Sequence, residues 1–325
     1  MLNLVNKLKR DADLVLLNTD TSLTRRYVRA QNFVIDWFRG GAASTFSFAS
    51  SEEMMVLMFD AAGTFIGAGH STDAPGRSVG VVPAGSYELK LSQAGRGCIL
   101  STDRIDAQLA LNAASYQTPD PRVAPVGPAW PRVNGADDVR VFEIDKFKPP
   151  ADNPRLKMLQ SATMSINWVD YDGPRDRKAL SPHAHADSEQ ASLAVAGDFV
   201  HHLRVAWGKN AEEWRDDEHR LAPSPSVLVI PPELIHTTEG VGSGHHLLID
   251  IFAPPRRDFI AKGWVFNAAE YQDPRARPCD RRRRLHGKAQ VGRHGRLRQR
   301  DKRGRAEKDF SHPPPLRDAE LKTMQ

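Results

Sequence analysis

Beyond residue 24 the chain alternates short apolar runs with punctuating Gly, Pro, Ser and Asp. Strands are predicted over 27–29, 33–38, 45–48, 54–59, 64–68, 78–82, 87–91 and 98–101. Turns such as Ala61-Ala62-Gly63, Pro83-Ala84-Gly85 and Ala94-Gly95 divide them. Apolar points at Ile105, Leu109 and Leu111 predict a short helix over 106–116. A second series of strands is predicted over 140–143, 163–171, 191–195, 199–207, 226–230, 235–239 and 246–252. Many short strands at this spacing predict an all-β sandwich or barrel. Between the series, residues 117–134 hold Pro119, Pro121, Pro125, Pro128 and Pro131. Such a run cannot enter a sheet interior and reads as a semi-extended linker.

The two series repeat each other in order. Val34-Ile35-Asp36-Trp37 matches Ser165-Ile166-Asn167-Trp168, Ser51-Glu52 matches Ser188-Glu189, and residues 78–83 (SVGVVP) match 226–231 (SVLVIP). The offsets grow along the chain, as insertions in a duplicated domain produce. The predicted organisation is an irregular or partly helical arm (1–24), a first barrel (25–116), a linker (117–138), a second barrel (139–273) and a tail (274–325).

Charge separates the tail from the rest. Residues 274–325 carry 17 Lys and Arg against 6 Asp and Glu, a net of +11, which leaves −6 for the remainder of a chain of net +5. The tail shows no hydrophobic period, so disorder is expected of it. Non-specific contacts with nucleic acid or another polyanion are a second expectation. An altered reading frame is a third, because the change in composition is abrupt. No apolar run approaches the roughly 18 residues that cross a bilayer, and residues 1–18 lack a signal-peptide core. Two cysteines make neither a disulfide framework nor a zinc cluster. A cytoplasmic protein without membrane partners, monomeric or homodimeric, is expected.

Candidate chemistry lies in the second series. His183, His185 and Glu189 form H-x-H-x3-E, and Pro231 and His236 form P-x4-H at the end of an apolar run. In a strand, residues two apart share a face, so His183 and His185 project together, with Glu189 if the pleat persists. His236 lies on a distant strand, and a small closed barrel brings it to the others. Three imidazoles and a carboxylate can hold one divalent metal. Nitrogen and oxygen donors without thiolate suit Mn, Fe(II), Ni or Zn. An octahedral ion so bound keeps two positions for a chelating hydroxy-carbonyl compound or carboxylate, a small-molecule substrate. The first series has no H-x-H before Ser51-Glu52 and places Glu88 where His236 falls, so a metal-free first barrel is expected. His70 is expected to be exposed, His201, His202 and His245 to be structural, and the polar insertion 207–220, with Trp214, to be a lid.

Residues 173–197, with His183, His185, Glu189 and Gly197, resemble the first motif of the cupins. Pro231–His236 resembles the second, with Glu233 where many cupins have Gly. The resemblance covers about residues 27–271 and implies two tandem jelly-roll barrels, a bicupin. Residues 250–256, D-x-F-x-P-P-R, are similar to a stretch of the small cupins that ketonise unsaturated uronates. That similarity implies pocket roles for Asp250, Phe252 and Arg256, with Asp250 as general acid or base and Arg256 as anion anchor. Three functions stay open: a metal-dependent isomerase or tautomerase acting on a small carbohydrate acid or hydroxy-carbonyl compound, an Fe(II) dioxygenase, and a non-catalytic ligand-binding cupin.

Overall fold

The structure, a computed structural model, describes residues 11–18, 23–135, 137–151 and 153–275. Its first strand, β1 (Asp13–Leu16), precedes β2 (Thr24–Arg29), β3 (Val34–Gly40), β4 (Thr45–Ser50), β5 (Met54–Met58), β6 (Ala62–Gly67), β7 (His70–Ala74), β8 (Ser78–Val82), β9 (Gly85–Gln93) and β10 (Gly95–Ser101). After β11 (Arg140–Glu143) come β12 (Met158–Gln160), β13 (Ser165–Asp172), β14 (Gln190–Ala196), β15 (Asp198–Arg204), β16 (Glu218–Pro223), β17 (Ser226–Ile230), β18 (Ile235–Val241) and β19 (His245–Phe252).

Two antiparallel jelly-roll barrels result. In the first, the sheet β11-β8-β5-β10-β3-β2 covers the sheet β4-β9-β6-β7; in the second, β1-β17-β14-β19-β13-β12 covers β16-β15-β18. The alternation in β9 explains one kind of strand: Tyr87, Leu89 and Leu91 are buried while Glu88 and Lys90 face outward. Strands β5, β8, β14 and β17 are nearly continuous apolar runs because both their faces are covered. One face lines a barrel. The other packs sheet on sheet, with Ile35, Trp37, Leu57 and Val81 in one cluster with Ile166, Trp168, Leu193, Val229 and Ile249. Phe59 bridges the two tryptophans, 5.6 Å from Trp37 and 5.5 Å from Trp168 between ring centroids. Burying side chains of this size contributes on the order of 1.5–3 kcal/mol each.

Several expectations need correction. The segment expected to be an irregular or helical arm contains β1, which pairs with β17 of the second barrel. Residues 140–143, expected to open the second barrel, form β11 and pair with β8 of the first. Each barrel's large sheet is therefore edged by a strand from the other half of the chain. The helix over 106–116 is instead two short 3-10 turns, Ala107–Leu109 and Ala113–Tyr116. Three further strands, β7, β12 and β16, are additional. Residues 276–325, most of the basic tail, lie outside the described residues.

Candidate metal centre

The second barrel's mouth is set by backbone pairing of residues 183–185 with the start of β18 and the turn before it. His183 N–H donates to His236 O (3.0 Å) and His236 N–H donates to His183 O (2.8 Å), while Glu233 N–H donates to His185 O (2.7 Å). The segment is thus extended at 183–185, and both histidines project to one side. Their rings lie 5.0 Å apart, and His236 stands 4.5 Å from His183 and 5.4 Å from His185. One nitrogen of each lies within 4.8 Å of the others. Glu233 keeps the turn that many cupins give to Gly, since its φ is +69°, in the left-handed region. Gly197, at φ +83°, has no such substitute: a Cβ there would fall 2.7 Å from His246.

Glu189 is the correction. The chain bends at 186–187, the pleat does not persist, and parity is reset before β14 begins. The buried Glu189 therefore faces away from the histidines, accepting from Gln31 N–H (2.6 Å) and the Tyr116 hydroxyl (3.2 Å). Gln190 takes the inward place. Its Nε2 donates to Asp250 Oδ1 (2.8 Å) and Ser192 Oγ (3.0 Å), which fixes the amide so that Oε1 faces His185 Nε2 at 2.8 Å and His236 Nε2 at 3.2 Å. The sequence held a signal for this. In residues 190–195, Gln190 and Ser192 alternate with Ala191, Leu193 and Val195, so the polar residues share the inner face.

Protonation follows from the surroundings. Burial and the charge of Arg256 push His185 down to about 3, and burial pushes His236 down to about 4, so both rings are neutral near pH 7. The neutral form is the metal ligand. His183 Nδ1 lies 2.9 Å from Ser181 O and His236 Nδ1 lies 2.9 Å from Leu234 O, which assigns the ring protons to Nδ1 and leaves Nε2 as the donor atom. The lone pair of His236 Nε2 then meets a lone pair of Gln190 Oε1. Two acceptors turned on each other are the arrangement a shared cation relieves, so the residues fit a divalent metal held by His183, His185, His236 and Gln190. His185 differs: Arg256 Nη1 donates to its Nδ1 at 2.8 Å, so its Nε2 carries the proton and donates to Gln190 Oε1; as a ligand it would take the other tautomer, with the Arg256 donor turned away from Nδ1.

The remaining predicted residues divide between the cavity and its support. Asp250 faces a cavity of about 180 Å³ shared with His183, Gln190, His236, Asn167 and Arg175. Burial raises its carboxyl, against hydrogen bonds from Ser192, Asn167 and Gln190. Phe252 packs edge-on against His185 at 5.3 Å. Arg256 does not line the cavity. Its guanidinium is forked onto Asp258 (2.9 and 2.7 Å) and lies over Phe252 and Phe259, so it braces His185 and is not free as an anion anchor. The expected lid borders a different cavity of about 480 Å³, without histidines, whose Arg122 and Arg215 pair with Glu233 and Asp11. His201 is buried against Thr238, as a structural residue would be, whereas His70 and His245 are exposed.

No known family's sequence profile matches the chain, and no curated protein matches it. Among solved structures, AerE from Microcystis aeruginosa aligns with a TM-score of 0.50 at 11% identity, over 75% of this chain and 97% of that one. The S161A mutant of Bacillus subtilis oxalate decarboxylase aligns at 0.49 and 11% identity, over 74% of this chain and 75% of that one. At such identities the likeness is one of fold. Fold and site together define the class: two tandem cupin-type jelly rolls, with a histidine cluster able to hold a divalent metal in the second. No helix among the described residues is long and apolar enough to cross a membrane.

Proposed function

We propose that the protein is a metal-dependent enzyme that isomerises or tautomerises a small hydroxy-carbonyl compound, a carbohydrate acid being the leading class. The observation that carries this reading is Asp250, an acid–base group in the same cavity as the histidines and tied to Gln190. When bound, a divalent metal supplies a Lewis acid that polarises a carbonyl and steadies the charge that develops on its oxygen. The chain's own residues supply the proton transfer. Oδ1 of Asp250 accepts from Gln190 (2.8 Å) and Ser192 (3.0 Å), whereas Oδ2 receives only a 3.5 Å contact from Asn167. Oδ2 is thus the oxygen with capacity to work. As a carboxylate it takes a proton from the carbon or hydroxyl beside the carbonyl, and as a carboxylic acid it returns that proton to the neighbouring atom. Proton transfer requires a positioned acid–base group of this kind, which favours it over the dioxygenase reading.

Proton–deuterium exchange in D2O tests this without a known product. Uronic and 2-keto acids are incubated with metal-loaded protein and followed by NMR at the carbon beside the carbonyl. Asp250→Asn is expected to keep its metal and to lose about 100-fold or more of the exchange rate, the usual contribution of a positioned acid or base. Undiminished exchange, or oxygen uptake in place of exchange, removes the proposal. Ligand-induced thermal stabilisation without exchange identifies a binding protein.

A further inference from the structure

Several half-buried arginines among the described residues are paired with carboxylates. Arg25 meets Asp36, Arg77 meets Asp145 and Asp170, Arg122 meets Asp120, and Arg132 meets Glu53. Arg175 is not. It is half-buried in the wall of the histidine cavity, yet no carboxylate lies within ion-pair distance of it among the described residues. Its guanidinium is nevertheless fixed. Nη1 donates to Thr238 O (2.9 Å), Nη2 donates to Ser181 Oγ (3.2 Å), and its backbone N–H donates to Gly240 O (3.0 Å). Nε is buried without a partner.

A second guanidinium, that of Arg155, lines the same cavity and is close enough for its charge to bear on Arg175. Arg155 is exposed and its charge is met by water, whereas the guanidinium of Arg175 is half-buried and would be complemented by an anion that a ligand brings. Asp250 does not fill that role. Its charge acts on Arg175 only at longer range, and the guanidinium's hydrogen bonds go to Thr238 and Ser181 instead. Ser181 links the two ends of the cavity, because its hydroxyl holds Arg175 while its carbonyl holds His183 Nδ1. A guanidinium fixed by its neighbours and charged at any working pH is suited to a carboxylate.

We infer that Arg175, with Arg155 beside it, is the anchor for a carboxylate on the ligand, whose hydroxy-carbonyl end then faces His183 and Asp250. This rests on the functional reading for the nature of the far end only; the anion subsite stands on the arginines. Arg256, occupied by Asp258 and His185, takes no part in it.

The Nε–H signals of arginines in a 15N-labelled full-length protein, as purified and with metal content measured in parallel, test the subsite. Arg175→Lys assigns the signal. Lactate and galacturonate at millimolar concentration are expected to move it, and propane-1,2-diol and galactose are not. Arg175→Gln is expected to weaken galacturonate binding about tenfold or more, the worth of a charged hydrogen-bonded contact, with metal content unchanged. A signal unmoved by either acid, moved equally by the neutral compounds, or moved as much by inorganic phosphate overturns the carboxylate anchor. So does galacturonate binding unaltered by Arg175→Gln. Failure of the functional reading shows differently, as absent metal or absent proton exchange with the carboxylate response intact.

Discussion

The two barrels share a register that permits a position-by-position comparison. Met54 is opposite Val82 in the first, as Gln190 is opposite Ile230 in the second. Ile99 pairs with Val56 where Asp250 pairs with Ser192. Phe48 pairs with Tyr87, in the place where His183 bridges His236. The first interior is thus filled by Phe38, Phe46, Phe48, Met54, Phe65, Tyr87 and Leu89, all buried in one cluster. The same architecture holds a packed core in one copy and a polar cavity in the other. Glu88, expected to correspond to His236, faces outward one residue away from the true counterpart, Tyr87. The fold therefore does not require the histidines, and their convergence has to be explained by chemistry.

What the copies retain in common is equally informative. Glu189 corresponds to Glu53, one residue beyond the Glu52 with which the sequence repeat aligns it, and both accept from a backbone N–H and a tyrosine hydroxyl of the other half. Glu53 accepts from Ala162 N–H (2.7 Å) and the Tyr271 hydroxyl (2.8 Å), as Glu189 accepts from Gln31 N–H and Tyr116. Asn112 exchanges two hydrogen bonds with the backbone of Arg29 (2.9 Å each), and Asn267 does so with Gln160 (2.9 and 2.8 Å). Each barrel thus holds the other by a carboxylate at the head of its β5 or β14 strand. The glutamate of the H-x-H-x3-E spacing belongs to this shared framework.

The comparison breaks most visibly if the polar interior is given the first barrel's residues. His236→Tyr and His183→Phe place the counterparts of the first barrel in the second. Each is expected to take the purified protein from about one metal per chain to background. Losing even an outer-shell partner costs 10–100-fold in affinity, and a direct ligand costs at least about 100-fold. Elemental analysis decides it, and occupancy unchanged by His236→Tyr would remove the ligand assignment.

Next in size is the shared framework. Glu53→Ala and Glu189→Ala each strand a backbone N–H and a tyrosine hydroxyl in the interior, at a cost of about 3 kcal/mol for two unsatisfied donors. Glu53→Ala also leaves Arg132 without its ion pair, so urea unfolding should give a loss at least as large for Glu53→Ala as for Glu189→Ala, with metal content retained in both. A Glu189→Ala protein as stable as its parent but without metal would restore the glutamate as a ligand and end the symmetry argument.

Much of this was legible beforehand, for physical reasons that differ by feature. The duplication showed because core-facing strands such as 78–82 and 226–230 are held to one pattern by burial on both faces. A further repeat, Asn112-Ala113-Ala114-Ser115-Tyr116 against Asn267-Ala268-Ala269-Glu270-Tyr271, was equally available and carries the inter-barrel contacts. The exchange of β1 and β11 was hidden, because a four-residue strand gives no local sign of its partner. Glu189 misled because a bend of two residues at 186–187 reverses side-chain parity without changing composition. Arg175 had no motif at all, since what marks it is the carboxylate missing from its surroundings.

The smallest expected effect concerns His201, which occupies in β15 the place of Phe65 in β6. It is buried, and burial first, then the charges of His236, His202 and Arg220, push it down to about 3. The sign follows from linkage. The unfolded chain takes up a proton below about 6.5, which the folded chain refuses until about 3, so stability is full above 6.5 and falls as pH drops. This one group accounts for about 2 kcal/mol between pH 7 and pH 5. His185 and His236 act in the same direction. His201→Phe installs the first barrel's residue and should reduce the stability lost between pH 7 and pH 5 by about that 2 kcal/mol. The change in slope is the quantity to read, because any misfit of the new ring shifts stability equally at both pH values. An unaltered slope would mean that His201 titrates freely, and the second barrel's interior would then be open to water well beyond its metal-binding end.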